Sequence, residues 1–147
     1  MLDAVDRSII DHLLEDSRLS LKDLALRVNL SAPSVSERLR RLQESGVISA
    51  FTVDIDLTAL GDVFEAIIRI RPLPGNLHIV EHRLKDILEV SECDKVTGDD
   101  CFIARVHVRS MKHLDEVLDQ ITDKAETNTS IVKSQPVRRR LPPLTQS

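Results

Sequence analysis

Apolar positions recur at helical spacing from the start of the chain to about Gly46, and further on switch between strict alternation and helical spacing. Val5, Ile9 and Leu13, with Ile10 and Leu14 beside them, line one side of a helix predicted to run to about Asp16. Leu21, Leu24, Ala25 and Val28 line a short second helix, and Val35, Leu39 and Leu42, at i, i+4 and i+7, line a third. Polar punctuation agrees with these limits. "DAVD" (Asp3 to Asp6) and "SLKD" (Ser20 to Asp23) each place a short polar side chain three residues before an acid, the pattern of a capped helix start. Asn29 stands where the chain must turn sharply, and Asn tolerates left-handed backbone best after Gly. Leu30 plugs that turn, Ser31 caps the third helix, Pro33 falls in its first turn where a missing N–H costs nothing, and Gly46 closes it.

Beyond Gly46 the pattern changes. "VISAFTVDI" (Val47 to Ile55) is β-branched with little helical periodicity and predicts a strand or hairpin; "LTALG" predicts a helical turn stopped at Gly61. "VFEAIIRIR" (Val63 to Arg71) reads as a strand, Leu77, Val80, Leu84 and Ile87 as a helix, and "VSECDKV" and "CFIARVHV" as two strands around "TGDD". Leu114, Val117, Leu118 and Ile121 mark a further helix, and "TSIVKSQPV" (Thr129 to Val137) a closing strand. The order β-α-β-β-α-β is the ferredoxin-like plan, an antiparallel sheet with both helices on one face. Alternation turns Phe64, Ala66, Ile68 and Ile70, and Phe102, Ala104, Val106 and Val108, toward those helices. Glu65, Ile67, Arg69, Arg71, Cys101, Ile103, Arg105 and His107 point the other way, a mixed face of the kind that meets a partner subunit, so homodimerisation is expected. The fold class is therefore α+β: a three-helix helix-turn-helix domain with a β linker (residues 1–61), a ferredoxin-like domain (62–140) that ends in the basic run Arg138 to Arg140, and a proline-bearing tail (141–147) expected to be poorly ordered.

Composition narrows the partners. Apolar residues are 41% of the chain, with three Phe and no Trp or Tyr, so base stacking on aromatics is not the binding mode. A formal net charge of −4 means that any anion-binding surface must be local. Cys93 and Cys101 form neither a CxxC nor a disulfide-dense pattern, no segment is apolar enough to span a bilayer, and "MLDAVDRS" lacks the basic start and apolar run of a signal peptide; a cytoplasmic protein is expected.

Three clusters carry candidate chemistry. Residues 21–40 have the layout of a helix-turn-helix, whose second helix enters the major groove of double-stranded DNA. On that helix Arg38, Arg40 and Arg41 can pair with phosphates, and Pro33, Ser34 and Ser36 leave its N-terminus slim enough for a groove. Glu37 either accepts from a cytosine amino group or pairs with an arginine on a solvated surface. The competing reading of the whole face is a three-helix module that docks on a partner protein; three arginines in four positions favour DNA. The loop Thr97, Gly98, Asp99 and Asp100 offers a hydroxyl, open backbone N–H groups and two carboxylates, partners for a zwitterionic amino acid. On residues alone it reads first as an ordinary hairpin turn. Cys93, Cys101, His107 and His113 match no structural zinc spacing, and no cysteine has a base that the sequence places beside it. Neither metal, cofactor nor enzymatic activity is expected.

"LDAVDRSIIDHL", "LSAPSVSERLRRLQESGVI" and "VTGDDCFIARVHV", in that order, resemble the Lrp/AsnC family, the feast/famine transcription regulators, over nearly the whole chain. The resemblance implies DNA binding by Leu21 to Arg40 and a C-terminal domain that dimerises. It also implies assembly of dimers into rings, often octamers, with amino-acid effectors bound between dimers near the loop after the second strand. Many members carry Gly where Asn29 stands, and an acid where Cys101 stands. The alternative function is an amino-acid-sensing regulatory subunit whose helical part docks on an enzyme.

Overall fold

A computed structural model describes residues 2–61 and 63–142 and divides the chain into two compact units, Met1–Ile55 and Asp56–Ser147. The first holds helices α1 (Ala4–Glu15), α2 (Leu21–Arg27) and α3 (Ala32–Glu44). Each begins at a capping side chain. Asp3 and Asp6 form a reciprocal capping box, Ser20 accepts from the Asp23 N–H at 3.0 Å, and Ser31 accepts from the Ser34 N–H at 3.3 Å. Between α2 and α3 Asn29 takes φ 53°, the left-handed conformation anticipated for it. The Leu30 N–H then reaches the Ala25 carbonyl at 3.0 Å and the Asn29 N–H the Leu26 carbonyl at 3.4 Å, which together make a Schellman closure of α2. Ile9, Leu24, Ala25, Val35 and Leu42 form the core of this unit, with Val5, Ile10, Leu13, Leu30 and Leu39 packed around it. Leu14, placed inward by periodicity, is 60% exposed instead.

One expected element is missing. Residues 47–56 form no strand, and Val47, Phe51, Val53 and Ile55 are exposed. β-Branched residues favour extended backbone, but a strand also needs a ladder partner, and the described residues of this chain offer none.

The second unit opens with a 3-10 turn at Leu57–Leu60, then β1 (Phe64–Pro72), α4 (Leu77–Asp86), β2 (Val90–Lys95), β3 (Phe102–Val108), α5 (Met111–Asp119) and β4 (Ala125–Ile131). The sheet order is β2-β3-β1-β4, antiparallel throughout, with Ala66 opposite Val106 and Ile131. This is the anticipated ferredoxin-like plan. Ala66, Ile68, Ile70, Phe102, Ala104, Val106 and Val108 are buried beneath Val80, Leu84, Leu114, Val117 and Ile121 of the two helical segments. The closing strand lies earlier than the β-branched run suggested. It starts at Ala125 because the chain leaves α5 through a short turn and pairs at once with Pro72, so the polar stretch "AETNTSI" supplies the edge. No helix among the described residues is long and apolar enough to cross a membrane. Of the tail, residues 143–147 lie outside the described ones.

Candidate nucleic-acid interface and loop site

Helix α3 separates its two faces cleanly. Val35 and Leu42 are buried, while Pro33, Ser34, Ser36, Glu37, Arg40 and Arg41 are exposed on the other side. Its N-terminus carries only small side chains, and the Ser34 N–H donates to the Ser31 hydroxyl, itself 2.8 Å from the Ser34 hydroxyl.

The arginines are not equivalent. Arg38 turns inward: its Nη1 donates to Asp3 Oδ2 at 2.6 Å and to Asp6 Oδ1 at 2.7 Å, and only 24% of its side chain is accessible. These bonds, that to Asp3 first, raise its proton affinity further, and the guanidinium expected to meet phosphate is committed to α1. Arg40 lies between Glu37, at 2.5 Å, and Glu44, at 2.6 Å, and remains half exposed. Its hydrogen bond holds the Glu37 carboxyl below the usual carboxylate range, which makes Glu37 a brace for Arg40. Arg41 is the least committed of the three, with Asp6 Oδ1 at 3.9 Å.

Residue pattern carries a signal for Arg38. It stands three residues after Val35 and four before Leu42, on the flank of the apolar stripe, where an arginine needs an acid. The acids that serve it, Asp3 and Asp6, show in the sequence only as helix caps.

In the second unit, Thr97, Gly98 and Asp99 are exposed and Asp100 partly so, in the irregular link between β2 and β3. Gly98 takes φ +108°, which a side chain would resist. Sheet pairing brings Arg71, absent from the sequence-derived site, to this loop. Its Nε donates to the Asp99 carbonyl at 3.1 Å, and its outer nitrogens lie 3.8 Å from Asp100 Oδ1 and 3.9 Å from Glu126 Oε2. The cluster presents hydroxyl, N–H, carboxylate and guanidinium groups together. A cavity of about 280 Å³ sits elsewhere, between α4 and β2, over Leu84 and Phe102 with Glu81, Lys85, Cys93 and Lys95 at its rim. None of the four loop residues lines it.

Cys93, Cys101, His107 and His113 are not brought together as a site, and among the described residues no group of three potential ligands forms. His113 meets Glu89 at 2.9 Å, drawing that carboxyl below its ordinary range, while His107 lies 3.5 Å from Glu65 on the open sheet face. Glu65 also pairs there with Arg105, which approaches Glu92 at 3.6 Å.

Comparison with known proteins adds independent findings. Residues 2–49 match the winged helix-turn-helix DNA-binding family and residues 65–142 the Lrp/AsnC ligand binding domain family. The transcriptional regulator LrpA of Mycobacterium tuberculosis is 34% identical over 129 residues, 87% of this chain and 86% of that one. The structure of Bacillus subtilis LrpC superposes with a TM-score of 0.87 at 26% identity, covering 95% of this chain and 99% of that one. A feast or famine regulatory protein from M. tuberculosis, complexed with L-methionine, gives 0.87 at 31% identity, covering 96% and 98%.

Proposed function

Because the chain belongs to the Lrp/AsnC family of transcription regulators, we propose that it is a sequence-specific binder of double-stranded DNA, with α3 as its recognition helix. The observation that carries this is the division of α3: its apolar stripe and Arg38 are anchored inward, while Pro33, Ser34, Ser36, Glu37, Arg40 and Arg41 form one continuous exposed face. In a homodimer two such helices enter successive major grooves about one helical turn apart. Arg40 and Arg41 contact phosphates, the small residues at the helix start admit it to the groove, and the dipole of the helix favours nearby phosphate.

The loop Thr97 to Asp100 is proposed to bind a small amino-acid effector between subunits, its carboxylates taking the ammonium. The L-methionine complex of a related protein supports the ligand class. An effector acts only by binding one assembly, or one spacing of the helices, more tightly than another. Octameric assembly is the quaternary form proposed with it, in the cytoplasm.

The test is a gel-shift series over salt concentration on a duplex selected from a random pool by the unmutated protein. Replacing Arg40 and Arg41 with Ala should weaken binding and reduce the slope of log K against log salt by up to about 1.8, roughly 0.9 for each phosphate no longer neutralised. Unchanged affinity and slope would remove α3 from the interface and favour the rival reading, a helical part that docks on another protein.

A further inference from the structure

Asp6 is 6% exposed and is the buried charged residue of the described chain. Both of its carboxylate oxygens are engaged. Oδ2 accepts the Asp3 N–H at 3.3 Å, closing the cap of α1, while Oδ1 accepts Arg38 Nη1 at 2.7 Å and lies 3.9 Å from Arg41 Nη2. One acid at the first turn of α1 thus faces two arginines of α3, one turn apart on the helix.

The two contacts differ in kind. Arg38 is gripped by Asp3 and Asp6 at once and is largely shielded; Arg41 is half exposed and only loosely held. An apolar stripe such as Val35, Leu39 and Leu42 tolerates a small roll of the helix about its own axis, because dispersion contacts are many and weak. A guanidinium held by two carboxylates has a directional geometry and resists that roll. Base-edge readout depends on which side chains of a recognition helix face the groove.

We propose that Asp6 and Arg38 form a positioning clamp that fixes the rotational setting of α3 and thereby its discrimination between DNA sequences. Asp6 has a second effect on the same helix: its charge draws on Arg41 and restrains indiscriminate phosphate binding. Arg38 touches no DNA and acts only through the setting of α3. The inference rests on the reading of α3 as the recognition helix.

The test compares two substitutions, Asp6→Asn and Arg38→Lys, in the full chain. Affinity is measured for the selected duplex and for a random-sequence duplex, at temperatures where circular dichroism shows unchanged helix content. Asp6→Asn keeps the shape and an acceptor oxygen but removes the charge. It should weaken binding to the selected duplex and strengthen binding to the random one, so that their ratio falls about tenfold or more, as when recognition at one or more base pairs is lost. Arg38→Lys keeps the charge but loses the rigid planar guanidinium, so its ratio should fall less and its salt slope stay unchanged.

An ion pair that only stabilised the fold would lower the melting temperature and leave the ratio alone; that result overturns the clamp. So does a salt slope reduced by about 0.9 in the charge-removing variant Arg38→Gln, which would make Arg38 itself a phosphate ligand. Should Asp6→Asn fail to fold, the milder Arg38→Lys carries the ratio measurement alone. An unmutated protein that selects no sequence fails the reading of α3 and overturns the clamp with it; selection that survives both substitutions overturns the clamp alone.

Discussion

The two units solve the same folding problem with different means. Among the described residues, the sheet unit closes on fourteen buried side chains spread over three strands and the segments of α4 and α5, whereas the helical unit closes on five. A small core leaves more of the structure to polar devices, and the helical unit is dense with them: a reciprocal box at Asp3 and Asp6, serine caps at Ser20 and Ser31, a left-handed Asn29, and the inward Arg38. In the sheet unit the charged residues lie mostly on the open face or at the rim, outside the core. A charge on the helical unit must therefore be tested for a structural duty before it is assigned to a ligand. Arg38 and Arg40, two residues apart, fall on opposite sides of that line.

The largest effect should come from the cores themselves. Truncating Ile9 or Ile68, each essentially inaccessible, to Ala should cost about 3 kcal/mol in either unit, within the usual range for a buried Ile. The consequences should differ, because a unit with five core residues has less stability to lose. Ile9→Ala is expected to abolish amide-exchange protection in α1 to α3 at room temperature, and Ile68→Ala to reduce protection in β1 and β3 without abolishing it. Without Trp or Tyr the chain has no convenient fluorescence signal, so exchange and far-ultraviolet dichroism are the measurements. Equal persistence of both units would show that core size does not set their resistance to opening.

Ligand binding should stabilise the sheet unit by nearly as much. An amino acid that binds the loop at a hundred times its dissociation constant should stabilise the folded protein by about 2.7 kcal/mol. A thermal-shift screen of the twenty amino acids should find at least one that raises the melting temperature, and Asp99→Ala should erase that rise while leaving DNA affinity without ligand unchanged. Absence of any shift across the screen would remove the effector from the proposal.

Much of this is legible in the residue pattern because both periods are local. Alternation marks β1 and β3 to within a residue or two and assigns their buried sides, and the caps fix the starts of all three N-terminal helices. What escapes depends on partners distant in sequence. Arg38 and Asp6 are 32 residues apart, and Arg71 reaches Asp99 only because β1 lies beside β3. The same limit explains Val47 to Ile55, whose β-branched residues suit a strand that finds no partner among the described residues, and β4, whose position is set by pairing with Pro72 and not by its own composition.

The smallest effect is also the most local. Asn29 sits at φ 53°, where an L residue with a Cβ pays for the crowding against its own carbonyl, and where Asn is spared part of that cost. Asn29→Ala should destabilise the helical unit by about 1 kcal/mol, while Asn29→Gly should change it by no more than a few tenths, since freedom gained in the unfolded chain offsets the relief of strain. Urea titration followed at 222 nm would read this as a lower midpoint for Ala with an unchanged slope. Because the Leu30 and Asn29 N–H groups both close back onto α2, the glycine variant should keep α3 in place and bind the selected duplex as the unmutated protein does. A glycine variant that kept its stability yet lost DNA affinity would show the Asn29 side chain in contact with DNA; equal behaviour shows a residue whose work is done by its backbone.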